Sequence, residues 1–409
     1  MKHKVASFSA QAVSSLTNFL PGMFAAHVLS LRQFGIFALI QFGYMLVVGG
    51  LRSYCTDPAA LSPASDLPTR RHLGAIDSVG VVAILVAFIY ALIAVFLGKI
   101  DLWVLLLALG MVAVMLQDCV RYIAIALGHG EQALLNDSIW LFSIACLLPL
   151  FLFALDPSPF AVASAWTLAS IPGLIYGCLK LGWRPRVSRG LWYLRTDRSL
   201  SASFFVEWLL RAGVSIVGPY AMGSVGGLSS IAYIRAAQLL LGPLNIAFGG
   251  VQFALTRSIL TLRETNLEAM ALALKKLSWL LGLLPVVLVA ALLILPVSVL
   301  SLATGAKAAN GLDDYLIPLG VALSVAGLTS GPGLGLRMLR AKRALTVARA
   351  VSTAAIALGG LAGLHTSHGA LGGLWGLAIG SVITVPLWSL QLRQSLMVER
   401  SSLAVSNEG

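Results

Sequence analysis

Long apolar runs separated by short polar turns repeat from one end of this chain to the other. The runs are about 20 to 27 residues long, the length a helix needs to cross a hydrocarbon core of roughly 30 Å. They predict twelve spans. Six lie in a first half, at Val5 to Ser30, Gln33 to Tyr54, Leu73 to Leu97, Leu102 to Leu127, Ala133 to Ala154 and Pro159 to Leu181. Six more follow at Ser201 to Met222, Ser229 to Leu260, Ser278 to Leu302, Tyr315 to Leu336, Ala344 to Leu364 and Ala370 to Leu392. Between the halves lies KLGWRPRVSRGLWYLRTDR, Lys180 to Arg198, which sets Lys180, Arg184, Arg186, Arg189, Arg195 and Arg198 against Asp197 alone. The predicted fold class is an all-α polytopic membrane protein. Its parts are a six-helix bundle over 1–182, a basic cytoplasmic connector over 183–200, a second six-helix bundle over 201–394 and a cytoplasmic tail over 395–409.

Local patterns add detail to the second half. LRETNLEAMALALKKL has apolar residues at Leu267, Ala271 and Leu274 and charges at Glu264, Glu268, Lys275 and Lys276, which predicts a short helix lying on the membrane surface. GPGLG, Gly331 to Gly335, predicts a break in the tenth span, because proline removes a donor and glycine adds freedom. Gly372, Gly376 and Gly380 form a small-residue stripe that lets a neighbouring helix approach closely. A weak internal repeat relates FGIFAL, from Phe34, to SIAYIR, from Ser230, and places Pro21 and Pro219 late in corresponding spans. Broken helices at matching places in two halves point to a transporter site.

Composition narrows the class. With 58% hydrophobic and 11% charged residues the chain falls far from the roughly one-quarter charged residues of soluble domains. The net charge of +12 would suggest nucleic acid in a soluble protein, but here it is distributed by topology, and no nucleic-acid partner is expected. Of 28 Lys and Arg, only Arg32, Lys99 and Lys307 fall on turns that a cytoplasmic N-terminus would place outside. The positive-inside rule therefore puts both termini in the cytoplasm. Cys55, Cys119, Cys146 and Cys178 match no metal spacing and read as small core residues. Lys2 and Lys4 before an apolar run resemble a signal peptide, yet eleven further spans follow, so the run reads as an uncleaved first helix. His27, His365 and His368 are too scattered for a metal site, no Walker motif is present, and no cofactor is expected.

Charges inside the spans are the candidate chemistry, because each costs several kcal/mol on a lipid-facing surface and belongs in the bundle interior or a wet cavity. Glu207 and Arg211 share one helix face at i, i+4, with Arg211 near the midplane, so they form either a substrate-path arginine with an ion-coupling acid or a neutralised structural pair. Arg235 has no acid near it in sequence and needs a partner from another helix or from an anionic ligand. Asp118 and Arg121, at i, i+3, are a second ion-coupling and substrate-binding candidate, or Arg121 simply snorkels to the inner face. Arg52, Arg257, Arg337, Arg340 and Arg349 near that face form either a positive vestibule or the collar expected of any membrane protein. Asn18 is helix-packing glue or a polar group lining a cavity.

SSLTNFLPGMFAAHVLSLRQFGIFAL, Ser14 to Leu39, resembles the first hairpin of the multidrug/oligosaccharidyl-lipid/polysaccharide (MOP) exporter superfamily, and IAYIRAAQLLLGPLNIAFGGVQFALTRSI, Ile231 to Ile259, resembles its second-half span. The resemblance is one of pattern over essentially the full length, and among branches the Wzx-type polysaccharide flippases fit best. It implies two six-helix bundles facing each other in a V and alternating access. The implied substrate is an undecaprenyl-pyrophosphate-linked sugar unit, moved from the cytoplasmic to the outer leaflet of a bacterial inner membrane. Membrane lipids, a polysaccharide polymerase and glycosyltransferases are the expected partners, and the polar groups in the spans make Arg211, Arg235, Asn18 and Arg121 the residues expected to face substrate. The alternatives are an ion-coupled drug or cation exporter of the same superfamily, an integral-membrane glycosyltransferase or polymerase, which would need catalytic carboxylates near a sizeable external loop, and a non-transporting scaffold of an assembly complex.

Overall fold

The computed structural model describes residues 2–60, 67–96, 101–154, 157–196 and 198–408, and their regular structure is helical. The helices are α1 (Lys2–Val28), α2 (Leu31–Leu51), α3 (Asp57–Ala60), α4 (Arg70–Phe96), α5 (Leu102–Ala126), α6 (Gly130–Ala154), α7 (Pro159–Leu168), α8 (Ser170–Leu181), α9 (Val187–Thr196) and α10 (Arg198–Thr265). They continue as α11 (Leu267–Ile294), α12 (Val297–Thr304), α13 (Ala306–Ala309), α14 (Asp313–Met338), α15 (Lys342–Leu364), α16 (Gly369–Ile383) and α17 (Val385–Glu408). Several ends are written in the sequence. Ser30 and Gln33 close a capping box on α2, Asp101 caps α5 through the Val104 amide at 2.8 Å, and Gly182, with φ +60°, ends α8.

Ten of the described helical stretches are long and apolar enough to cross a membrane, against twelve spans expected. The difference has two sources. The polar residues Gln11, Ser14, Ser15, Thr17 and Asn18 dilute the hydropathy of α1, although it is a helix of 27 residues. The expected seventh and eighth spans are joined in α10, where Gly227 (φ +74°, ψ 179°) supplies the turn between them.

The chain divides into two compact units, Met1–Ile216 and Val217–Gly409. In the first, α1 packs on α6, α4 on α5 and α9, and α5 on α7 and α8. Phe34, Phe37, Trp140 and Trp166 are fully buried there. Trp140 Nε1 donates to the Trp166 carbonyl at 3.2 Å, which satisfies the indole proton in the core. Ile84, Leu85, Phe88, Ile89, Leu92 and Phe96 on α4 face outward, as a lipid-contacting surface requires.

The basic connector is folded. Asp77 of α4, buried, accepts from Trp183 Nε1 at 2.9 Å, the Arg186 amide at 3.1 Å and Arg189 Nε at 2.5 Å. Ser78 donates to the Gly190 carbonyl at 2.9 Å and Tyr193 to that of Cys55 at 2.7 Å. A Cβ on Gly190 would meet the backbone of Asp77, so this glycine lets α9 lie directly on α4.

In the second unit α11 packs on α14 and α15 on α16. The small-residue stripe behaves as expected, since a Cβ on Gly372, Gly376 or Gly380 would collide with the backbone of Gly363, Gly359 or Ala355. Two readings are corrected. GPGLG does not break α14, which is helical through Pro332; Gly331 instead lies against the Leu274 carbonyl of α11, so the glycine serves close packing. Nor is the amphipathic stretch a separate surface helix. Asn266 caps α11 through the amides of Glu268 and Ala269, and Leu267, Met270, Leu274 and Leu277 are buried in a core shared with Leu334 and Leu339. The tail continues α17 and is tied down by Arg263 to Glu399 at 2.8 Å and Arg400 to Glu268 at 3.2 Å.

Candidate functional site

In the first unit, intramembrane charge gathers at one place. Past Leu51 the backbone widens into a π-helical turn, Arg52–Thr56, an irregularity that recurs at functional sites. Arg52 approaches Asp118 of α5 side-on, with Nη2 to Oδ1 at 2.7 Å and Nε to Oδ2 at 3.2 Å. One turn along α5, Arg121 Nε donates to Asp137 Oδ2 of α6 at 2.6 Å and its Nη2 to Gln11 Oε1 of α1 at 2.8 Å. Gln117 Nε2 bridges Asn136 Oδ1 at 2.6 Å and Asp137 Oδ1 at 3.2 Å. The Tyr122 ring lies under both guanidinium groups, 4.0 Å from Arg52 and 5.1 Å from Arg121. Four helices thus contribute to one network of two arginines and two aspartates.

The network is graded in exposure. Arg121 and Asp137 keep 2% and 0% of their side-chain surface, whereas Arg52 and Asp118 keep 31% and 12%. The inner pair is sealed and the outer pair reaches open space. Polar capacity is left over, since both side-chain polar atoms of the fully buried Gln41 and the Oε1 of Gln117 have no partner among the described residues.

This rearranges the predicted pairing. Asp118 and Arg121, adjacent on α5, lie 3.8 Å apart, while each makes its short contact with a different helix. Arg52, read above as part of either a positive vestibule or a basic collar, is the principal partner of Asp118. Asp137 was not singled out, and the signal that could have found it was the pair of span arginines, Arg52 and Arg121, which Asp118 alone does not balance. Asn18, half-buried on α1, donates to the Ser14 carbonyl at 2.9 Å and leaves its Oδ1 unpartnered. Cys55 and Cys119 are buried as expected, but Cys146 is exposed.

Glu207 is half-buried on α10, and the side chain of Arg211 lies outside the described residues. Near them Trp208 packs against Gly49 and Gly50, and Phe205 meets Tyr54 edge-on at 6.3 Å between ring centres, which seats the start of α10 on the end of α2.

Arg235 belongs to the second unit. It is 5% exposed, and the nearby residues Ile231, Ala232, Ile234, Ala236 and Leu239 on its helix are buried too. Its one described hydrogen bond runs from Nη1 to Gln238 Oε1 at 3.5 Å, and its Nε has no partner. Among the described residues no carboxylate pairs with it. A buried guanidinium with one long neutral bond is a demand for an anion.

Solved structures share this architecture. An inward-facing multidrug resistance MATE family transporter of the MOP superfamily matches with a TM-score of 0.72 at 15% identity, over 97% of this chain and 99% of that one. The lipid II flippase MurJ, in an inward closed conformation, matches at 0.64 and 14%, over 97% and 91%. A MOP superfamily transporter from Pyrococcus furiosus matches at 0.54 and 14%, over 97% and 95%. No family model matches the sequence, and a comparison with curated proteins finds no match. The chain has the fold of the MOP superfamily transporters, as its sequence resemblance implied.

Proposed function

We propose that this chain is a multi-pass transporter of the bacterial inner membrane that flips a polyprenyl-pyrophosphate-linked oligosaccharide to the outer leaflet by alternating access, for polysaccharide export. The observation that supports it is Arg235, buried and without an acid among the described residues. A pyrophosphate cannot enter hydrocarbon unaided, and a desolvated arginine fork replaces part of its hydration with charge-assisted hydrogen bonds. Arg211 is the second arginine of this proposal and the Oδ1 of Asn18 a polar contact for the sugars. Arg121, whose donors go to Asp137 and Gln11, is engaged within the first-unit network, which weighs against its direct contact with substrate. Coupling to an ion gradient falls to Asp118, held between Arg52 and Arg121, and to Glu207. The enzymatic and scaffold alternatives gain no support from neighbours that are transporters and flippases. A cation exporter needs an open acid, and Asp118 and Asp137 are both held by arginines, which favours an anionic substrate.

The test is flipping of a fluorescent polyprenyl-pyrophosphate-linked sugar in proteoliposomes. Arg235→Ala should abolish it with insertion unchanged, and Arg235→Lys should restore only part, because an ammonium lacks the bidentate fork. Flipping at the wild-type rate by the Ala variant would remove the basis of the proposal, and uptake of a cationic dye in place of the lipid would favour the exporter.

A further inference from the structure

A cavity of about 440 Å³ opens where the connector meets α4, lined by Arg70, Leu73, Arg186, Ser188 and Arg189. Its chemistry is one-sided. Arg189 is tied to the buried Asp77, but Arg186 gives only its backbone amide to that carboxylate, and its exposed guanidinium has no described partner. The guanidinium carbon of Arg70 lies over the Trp192 ring, 4.1 Å from its centre, a contact that holds the group without neutralising it, and no carboxylate pairs with it among the described residues. Three arginines and a serine therefore line a space backed by a single acid, with the Arg189 fork shared between Asp77 and the Arg184 carbonyl, which it meets at 2.7 Å. Such forks match the oxygens of a phosphate.

The surroundings say where that phosphate comes from. On α9, Val187 and Leu191 are 64% and 42% exposed and spaced i, i+4, so one edge of a basic helix is apolar and uncovered. On α8, which leads into the connector, Ile175 and Leu179 are exposed as well. A short helix with an apolar edge and flanking arginines is suited to the boundary between acyl chains and headgroups. Leu73 adds an apolar wall, and the three hydrogen bonds to Asp77 hold the rim in shape without a ligand.

We propose that this cavity binds the phosphate headgroup of an anionic membrane phospholipid, whose acyl chains run along α8 and α9, and that the bound lipid clamps the connector to α4. The site is separate from Arg235 and does not depend on the substrate assigned above. Basic pockets between membrane helices and their juxtamembrane segments commonly take such headgroups.

The test uses the full chain in nanodiscs of phosphatidylcholine with and without phosphatidylglycerol, read by thermal melting, together with native mass spectrometry of lipid retained from detergent. Phosphatidylglycerol should raise the melting temperature and be retained. Arg70→Gln with Arg186→Gln should lose retention by more than tenfold, since each arginine near an anionic surface accounts for about fivefold. Arg186→Gln alone, at an exposed side chain with no described contact, should show part of that loss. Arg195→Gln with Arg198→Gln, which removes the same charge from the connector outside the cavity, should keep binding. Equal loss in that control pair would reduce the effect to general basicity and overturn the site. Unchanged retention in the Arg70/Arg186 variant would overturn it too, and the same stabilisation from millimolar inorganic phosphate would make it a free-anion site, not a lipid site.

Discussion

Asp137→Asn tests the buried network with the least disturbance of shape, because the amide keeps the volume of the carboxylate while removing its charge and one of the two oxygens that accept from Arg121 and Gln117. Asp137 has no exposed side-chain surface, and its partner Arg121 keeps 2%. At an effective dielectric of 20 the 2.6 Å contact carries about 6 kcal/mol of gross attraction, and the 3.8 Å contact to Asp118 that remains carries about 4 kcal/mol. Breaking a buried pair strands the other charge and costs about 3–5 kcal/mol. Asp118 and Gln11 stay in place for Arg121, so the low end, about 3 kcal/mol, is expected. For a unit of roughly 200 residues that is a fall of about 6–12 °C in melting temperature, measurable from tryptophan fluorescence of the detergent-purified protein. The companion variant Arg121→Leu with Asp137→Leu removes both charges and should recover more than half of what Arg121→Leu alone loses. A melting temperature for Asp137→Asn within about 1 °C of wild type would refute the sealed-pair reasoning.

Asp77→Ala should release the connector, which loses three hydrogen bonds, two of them from side chains, so trypsin should cut at Arg186 or Arg189 in membranes where the wild type resists; equal resistance would show that α9 is held by other contacts. Gly376→Val would drive a side chain into the Gly359 carbonyl, separating α15 from α16 at a cost of at least about 2 kcal/mol, read as lower yield and melting temperature than the wild type. Glu207→Gln, if Glu207 carries the coupling proton, should abolish pH-gradient-driven flipping while lipid-linked substrate still binds, and an unchanged pH dependence would leave Asp118 as the coupling acid.

The spans were legible because membrane thickness imposes one length on every apolar run, and no tertiary contact can shorten it. The pairing of charges was not, because sequence distance is a poor guide once helices from distant positions pack side by side. Asp118 and Arg121 are three residues apart and satisfy the i, i+3 rule, yet the partners that hold them, Arg52 and Asp137, lie 66 and 16 residues away. Gly331 shows the same limit for backbone effects. Glycine beside proline permits a break, but it also permits contact with the Leu274 carbonyl, and the packing of α11 decided between them. In the stretch after Asn266, the apolar residues read as a membrane-facing edge are covered by α14, so periodicity gave the face and not what it meets. The connector was recognisable by charge, whereas its anchor, Asp77, looked like one more residue of an apolar span.

The two intramembrane charge sites differ in a way that fits the different work proposed for them. Arg52, Arg121, Asp118 and Asp137 neutralise one another, so an anion entering that network would have to displace an aspartate already within 2.7 Å of a guanidinium. Adding a proton to Asp118 is another matter, because it cancels one carboxylate and leaves Arg52, 31% exposed, in search of a new partner. That accessible edge is why the coupling role proposed above is placed on Asp118. Arg235 has the opposite character, since no carboxylate among the described residues must be displaced before an anion can bind, and the cost of its burial is already met by the folded unit. Binding there is favourable to the extent that the anion supplies the missing counter-charge. Exchanging the two characters gives the sharpest check. Gln238→Glu places a carboxylate next to Arg235, one helical turn away, and should stabilise the protein while blocking lipid-linked substrate. A variant that is more stable and still flips substrate at the wild-type rate would show that the unpaired arginine is not where the pyrophosphate goes.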